Sequence, residues 1–230
     1  FLIMATSLLS MSSQAASLPL ITPENPFYAV STLPYQMPPF DRIQDADYAP
    51  TFADGMRQQL AEIRAIADNP VTPTFDNTLV ALERSGRLLT RVSAVFLNRR
   101  GTNTNPGRQA LKRDVAPTLP AHSDTIRLDG KLFARIDKLY GQRATLALNP
   151  QSLRLLERVR TDFMRAGASL PLASQQKLRD MNSQLASLAT TFSQNVLNEI
   201  NASAITVDTR AELDGLSDSA IAAAALAAKA

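Results

Sequence analysis

Large apolar residues return every three or four positions along most of this chain, the spacing that lines them up on one side of a helix. Phe52, Met56, Leu60, Ile63 and Ile66 predict a first helix that stops at Asn69-Pro70. A second begins near Asp76, whose carboxylate can cap free amides, with Phe75 and Val80 placed as a hydrophobic staple. Its apolar face, carried by Leu82, Leu88, Leu89, Val92, Val95 and Phe96, continues past Gly86 to a turn between Gly101 and Gly107. From Arg108 to Tyr140 the pattern is interrupted by Pro117, Pro120 and Asp129-Gly130, which predicts two helices with a kink. Another helix covers Gln151 to Ala166, with Leu153, Leu156, Val159 and Phe163 inward and Gly167 as its C-terminal cap. The longest run starts at Ser174: Leu178, Met181, Leu185, Leu188, Phe192, Val196 and Ile200 form one unbroken stripe, a pattern that normally marks core. Ile205-Thr206-Val207 is the one β-like run, expected as a short strand or extended link. Asp214-Gly215 then turns the chain, and Ser217 can cap an alanine-rich helix that continues to Ala230 with no stop signal. These elements predict an all-α fold. No internal repeat points to a solenoid.

The helical period is missing before residue 51. Pro19, Pro23, Pro26, Pro34, Pro38, Pro39 and Pro50 each remove a backbone donor and disfavour helix in the residue before. Residues 16–50 are therefore expected to be an extended arm, pinned by Phe27, Tyr28, Leu33, Tyr35 and Phe40 to a helical body over residues 51–230. Ahead of the arm, the apolar run from Phe1 to Met11 is followed by Ser13-Gln14-Ala15, a small-x-small cleavage pattern. Residues 1–15 read as a signal peptide lacking its basic front, which predicts a periplasmic protein; a buried N-terminal helix, with a cytoplasmic location, is the alternative. The run is too short to cross a bilayer, which takes about 20 apolar residues, so membrane insertion is not expected.

Composition narrows the chemistry. A chain with 45% hydrophobic and 20% charged residues is that of a folded protein, and a net charge of +3 gives no reason to expect nucleic acid. The densest basic stretch, Arg99, Arg100, Arg108, Lys112 and Arg113, is interrupted by Asp114 and has no aromatic platform, as on a solvated helix face. There is no cysteine and one histidine, His122. A zinc site of the H-E-x-x-H kind needs two histidines one helical turn apart and a third protein ligand, so these residues cannot build one. Ser123 and Asp124 adjoin His122, yet no serine sits in a G-x-S-x-G elbow, and the eight glycines form no phosphate-binding loop. No catalytic, cofactor-binding or metal-binding residue is assigned. His122 is expected to be a hydrogen-bonded histidine within or at the edge of the helical body.

Three stretches nevertheless carry a resemblance. The first runs from Asn25-Pro26-Phe27 through Ser31-Thr32-Leu33-Pro34-Tyr35 and Pro39-Phe40-Asp41-Arg42-Ile43 to Tyr48-Ala49-Pro50-Thr51-Phe52. The second is Asn69-Pro70-Val71-Thr72-Pro73-Thr74-Phe75-Asp76-Asn77-Thr78, leading to Ala81-Leu82-Glu83-Arg84-Ser85-Gly86 and Leu88-Leu89-Thr90-Arg91-Val92. The third joins Ala116-Pro117, His122-Ser123-Asp124-Thr125-Ile126 and Leu132-Phe133-Ala134-Arg135-Ile136. In order and spacing they resemble the opening of the peptidyl-dipeptidases, or dipeptidyl carboxypeptidases, of the thimet-oligopeptidase-like (neurolysin-like) zinc metallopeptidase family. The resemblance covers roughly Asn25 to Ala230.

It implies a multi-helix N-terminal lobe that, with a later lobe, walls a deep cleft for short peptides. It also implies zinc held by H-E-x-x-H and a downstream glutamate, all later in the polypeptide than this segment. His122 matches a family position that is not a metal ligand. Two readings follow: an N-terminal piece of a zinc-dependent peptidyl-dipeptidase whose partner is the missing catalytic part, or an exported, non-catalytic binding or scaffold domain. The uncapped final helix favours the first.

Overall fold

The computed structural model of the chain describes residues 20–102, 105–203, 205, 207 and 209–228. Among these residues the secondary structure is helical and contains no strand, so the fold is all-α. The chain divides into two units, the first ending at Gln184 and the second covering Leu185–Ala230.

In the first unit helix α1 spans Tyr48–Ala67. It starts earlier than the prolines suggest, because Pro50 falls in the first turn, where a missing N–H leaves no hydrogen bond unmade. Thr74, not Asp76, opens the next element. Its hydroxyl accepts from the Asn77 amide at 3.1 Å while the Asn77 Oδ1 accepts from the Thr74 amide at 2.8 Å, a capping box. A π-helical turn, Phe75–Val80, runs into the short α2, Ala81–Arg84.

The expected helix then breaks. Gly86 has φ +70°, the Gln59 side chain fills the space that a Cβ would take, and the Gly86 amide donates to Glu62 Oε2 at 2.7 Å. Helix α3, Arg87–Thr102, begins anew beyond it and passes through Gly101, which shortens the expected turn.

Three helices replace the kinked pair: α4 (Pro106–Val115), α5 (Thr118–Arg127) and α6 (Gly130–Gly141). Pro117 is the N-cap of α5 and Pro120 lies in its first turn, so neither proline interrupts a helix interior. At Asp129-Gly130 the chain turns and Asp129 caps α6, its Oδ1 accepting from the Leu132 amide at 2.8 Å. Helix α7, Pro150–Arg165, is capped by Asn149 and followed by Gly167 at φ +97°, as the sequence predicts.

Two cores hold this unit. In one, Phe27, Tyr48, Phe52 and Phe96 pack with ring centroids 5.2 to 5.6 Å apart, joined by Ile21, Ile43, Leu88, Val92 and Val95. In the other, Ile63 and Ile66 of α1 meet Leu79, Leu132, Ile136, Leu139, Leu156 and Phe163. Helix α1 thus serves both cores. Of the residues expected to pin the arm, Phe27 alone is buried; Tyr28, Leu33, Tyr35 and Phe40 are exposed, and the pins are Ile21, Phe27 and Ile43.

Helix α8, Leu172–Ala202, starts in the first unit, where buried Gln175 donates from Nε2 to the carbonyls of Ala168 and Leu170, both at 3.2 Å. The second unit contains the rest of α8, a 3-10 turn at Arg210–Leu213 and α9, Asp218–Ala227. Ser217 caps α9, accepting from the Ala220 amide at 3.3 Å. Ala230 lies outside the described residues. Ile205 and Val207 form no strand, and Thr206 lies outside the described residues. No described residue of this unit is buried. The α8 stripe expected in a core is exposed: Leu185, Leu188, Phe192, Val196 and Ile200 keep 42% to 70% of their surface in solvent.

Candidate functional site

The polar chemistry of the first unit begins where the arm meets the helices. Asn25 donates from Nδ2 to Thr51 Oγ1 at 3.1 Å and to the Asp47 carbonyl at 3.2 Å, and its Oδ1 accepts from the Phe27 amide at 2.9 Å. Three arginines reach across from α3 and α4. Arg91 donates to the Phe27 carbonyl at 3.0 Å, Arg99 to the Ile43 carbonyl at 2.8 Å, and buried Arg108 to Asp45 Oδ1 at 2.7 Å. Asn105 Nδ2 binds the other Asp45 oxygen at 2.7 Å. Burial works to raise the Asp45 carboxyl, but the bonds from Asn105 and Arg108, with the charges of Arg108 and Arg99, hold it below the usual carboxylate range. Arg99 and Arg108, part of the basic stretch in the sequence, are thus committed to the arm.

A second polar set joins α1, α5 and the break before α3. His122 is buried, with Nε2 2.7 Å from Gln59 Oε1, while Gln59 Nε2 donates to Ser85 Oγ at 3.3 Å. Desolvation pushes the His122 imidazole below its ordinary value. The sequence expectation of a hydrogen-bonded histidine holds. Ser123 and Asp124 do not complete a triad: Asp124 is held by Asn182, whose Nδ2 lies 2.9 and 3.1 Å from its two oxygens. A third set is built on Arg135, buried in α6. Its Nη1 donates to the carbonyls of Asn69 at 2.7 Å and Val71 at 3.1 Å, and Nη2 to Asn77 Oδ1 at 2.9 Å, strapping the loop between α1 and α2 to the body.

The first and third sets hold backbone in place, and none of the three brings a nucleophile to a base among the described residues. Beside the arm lie a crevice of about 300 Å³, bordered by Asn25, Ser31, Asp41 and Arg42, and a more apolar one of about 170 Å³ against Phe27, Pro38 and Arg91. Neither brings a nucleophile to a base. Among the described residues no three His, Cys, Asp or Glu side chains gather where they would hold a metal ion, and no helix is long and apolar enough to cross a membrane.

Comparison with known proteins decides what this helical body is related to. No family model matches the chain. It is 42% identical over 209 residues to dipeptidyl carboxypeptidase of Escherichia coli (strain K12), a match that takes in 91% of this chain and 31% of that protein. The dipeptidyl carboxypeptidase of Salmonella typhimurium is 42% identical over 205 residues, with 89% of this chain and 30% of that protein matched. Along nine tenths of its length the chain is thus similar to the dipeptidyl carboxypeptidases. Oligopeptidase A of Escherichia coli (strain K12) is a more distant relative, 22% identical over 197 residues, 86% of this chain and 29% of that protein. The chain spans about a third of the length of these curated relatives.

Against that dipeptidyl carboxypeptidase background, the polar residues that matter most here were visible as charges on apolar stripes. Arg135 falls between Leu132, Ile136 and Leu139, and Arg91 between Leu88, Val92 and Val95. A cation on the buried side of a helix must find acceptors there, and in both cases these are backbone carbonyls of a distant loop. Asn25 gave no comparable signal, because it sits among prolines in irregular chain and on no apolar stripe.

Proposed function

We propose that this chain is the N-terminal, non-catalytic part of a zinc-dependent peptidyl-dipeptidase, an enzyme that hydrolyses short peptides and releases dipeptides from their free C-termini. The observation that carries the reading is the 42% identity to dipeptidyl carboxypeptidase along 91% of this chain. In this role the arm and α1 to α7 form a stiff wall beside the substrate cleft. The arginine and asparagine bolts would keep that wall in one shape while peptides enter and leave.

Zinc is not held by this segment. One histidine and no cysteine do not make a zinc site, and His122 already spends its Nε2 on Gln59. The residues that bind the metal and activate water belong, on this reading, to the portion of the relatives that the chain does not match.

The test is a graft. This chain replaces the matching 209-residue segment of the Escherichia coli enzyme, and dipeptide release from peptides with free C-termini is measured with and without a chelator. The graft is expected to be active and to lose activity on chelation. A folded, inactive graft, or zinc-dependent dipeptide release by the 230-residue chain alone, would sink the proposal.

A periplasmic location is proposed from the leader pattern, which lies outside the described residues. A precursor with its start restored should be cut near Ala15 and recovered from the periplasm; retention of Phe1 to Ala15 in the mature protein rules this out.

A further inference from the structure

The second unit presents an apolar surface that no described residue of the unit covers. Leu185, Leu188, Phe192, Val196 and Ile200 recur at spacings of three and four on α8, and all five are exposed. Single exposed apolar residues are ordinary, but five in one continuous stripe on a helix are the signature of a face made to be covered.

Its flanks say what kind of surface covers it. From Leu185 to Ala202 the one ionisable side chain is Glu199; the rest of the polar face is serine, threonine, asparagine and glutamine. A helix that lies on a membrane carries lysine and arginine on its polar side, and the stretch of α8 from Leu185 to Ala202 has none. A charged partner would find a single counter-charge, Glu199, at the far end of the stripe. The fitting occupant is a neutral, apolar helix or sheet face at least as long as the stripe.

The comparison supplies such an occupant. A match of 209 residues within a chain of 230 must include residues 185–200, so the stripe lies in the segment shared with the Escherichia coli enzyme. About two thirds of that enzyme has no counterpart in this chain.

We propose that the α8 stripe from Leu185 to Ile200 is the docking surface for the remaining part of the peptidase polypeptide, which covers it through an uncharged apolar face. The inference rests on the reading of the chain as part of a peptidyl-dipeptidase and adds to it the surface by which that part is joined. Ser, Thr, Asn and Gln beside the stripe then meet solvent or pair at the rim, while Phe192, the largest of the five, sits at the centre of the contact.

The test uses the same graft, with Phe192→p-benzoylphenylalanine as a photoreactive aromatic probe and Gln194→p-benzoylphenylalanine, on the opposite side of α8, as its control. Illumination is expected to link position 192, and not 194, to the Escherichia coli portion of the same polypeptide. Amides of residues 185–202 should exchange at least a hundredfold more slowly in the graft than in the 230-residue chain alone. The double variant Leu188→Asp, Phe192→Asp should abolish that slowing, and Gln194→Glu should not.

Cross-links from position 192 to a second copy of the graft, no cross-link at all, or full amide protection in the double variant would each overturn the inference. A graft that cross-links as expected but releases no dipeptide would leave the docking surface standing and remove the peptidase reading instead.

Discussion

His122 shows how one buried side chain sets a measurable property of the fold. Desolvation lowers its basicity, so the folded state favours the neutral ring while the unfolded chain takes up a proton near the ordinary value of about 6.5. In the window below that value the unfolded state binds more protons than the folded one. Stability is therefore complete above about pH 6.5 and declines as the pH falls towards the depressed folded value. The Asp45 carboxyl, lowered in the folded state, contributes stability that is lost only at more acid pH, below about 4. The two effects separate on a pH axis. Urea midpoints of the wild-type chain should fall between about pH 7 and pH 5, and His122→Gln, which retains a donor for Gln59, should flatten that decline. A decline of the same size in the variant would assign it to other groups. The titration follows from burial, which the sequence did not reveal for a residue flanked by Ala121 and Ser123.

At the scale of elements, α1 and α3 pack tightly together at Gly55. A Cβ there would stand 3.0 Å from both Cα and N of Leu89, atoms of another backbone that cannot swing aside. Alanine would gain up to about 1 kcal/mol of helix propensity, but forcing two packed helices apart costs about 1 to 3 kcal/mol. Gly55→Ala should thus be a net loss, seen as a lower urea midpoint with unchanged m-value. Gly130, at the start of α6, has open space where its Cβ would be, and Gly130→Ala should be neutral or slightly stabilising in the same experiment. Equal responses from the two variants would show that the α1–α3 contact is not the constraint.

Periodicity was enough to place α1, α7 and α8, because long apolar stripes record which side of a helix is meant to be buried. It failed at ends, and for physical reasons. Pro50 and Pro120 look like helix breakers until their positions in first turns are known, and Gly86 looks like a tolerated interior glycine until its φ and its contact with Gln59 are seen. Asp76 looks like a cap because the reciprocal bonds of Thr74 and Asn77 depend on side-chain geometry. The prolines marked the arm as irregular, but they hid its 3-10 turns at Pro34–Gln36 and Asp45–Asp47 and the start of α1 at Tyr48. Its pins were not legible, since Tyr35 is exposed and Ile43 buried in stretches of similar composition.

For the whole molecule the telling contrast is between a unit with two cores and a unit with no buried described residue. Helices draw most of their stability from a packed face, and short ones are marginal in water even with good propensity. The described residues of the second unit offer its part of α8 no such face. Each large apolar side chain left in water forfeits about 1.5 to 3 kcal/mol relative to burial, against a net stability of about 5 to 15 kcal/mol for a domain. The five stripe residues alone are therefore worth as much as a typical domain's margin.

The 230-residue chain should accordingly behave as a stable body joined to a poorly protected one. Amides in α1, α3, α6 and α7 should exchange slowly and together, while those from Leu185 to Ala202 exchange fast at every stage. The same chain should bind a hydrophobic dye and self-associate as its concentration rises, because an uncovered apolar stripe finds whatever apolar surface is available. Adding the unmatched two thirds of the Escherichia coli enzyme in trans should reduce dye binding and slow exchange in residues 185–202. A monomeric, dye-free chain in which those residues are as protected as α1 would show that the second unit stabilises itself. The chain would then be better read as a self-sufficient, non-catalytic helical domain.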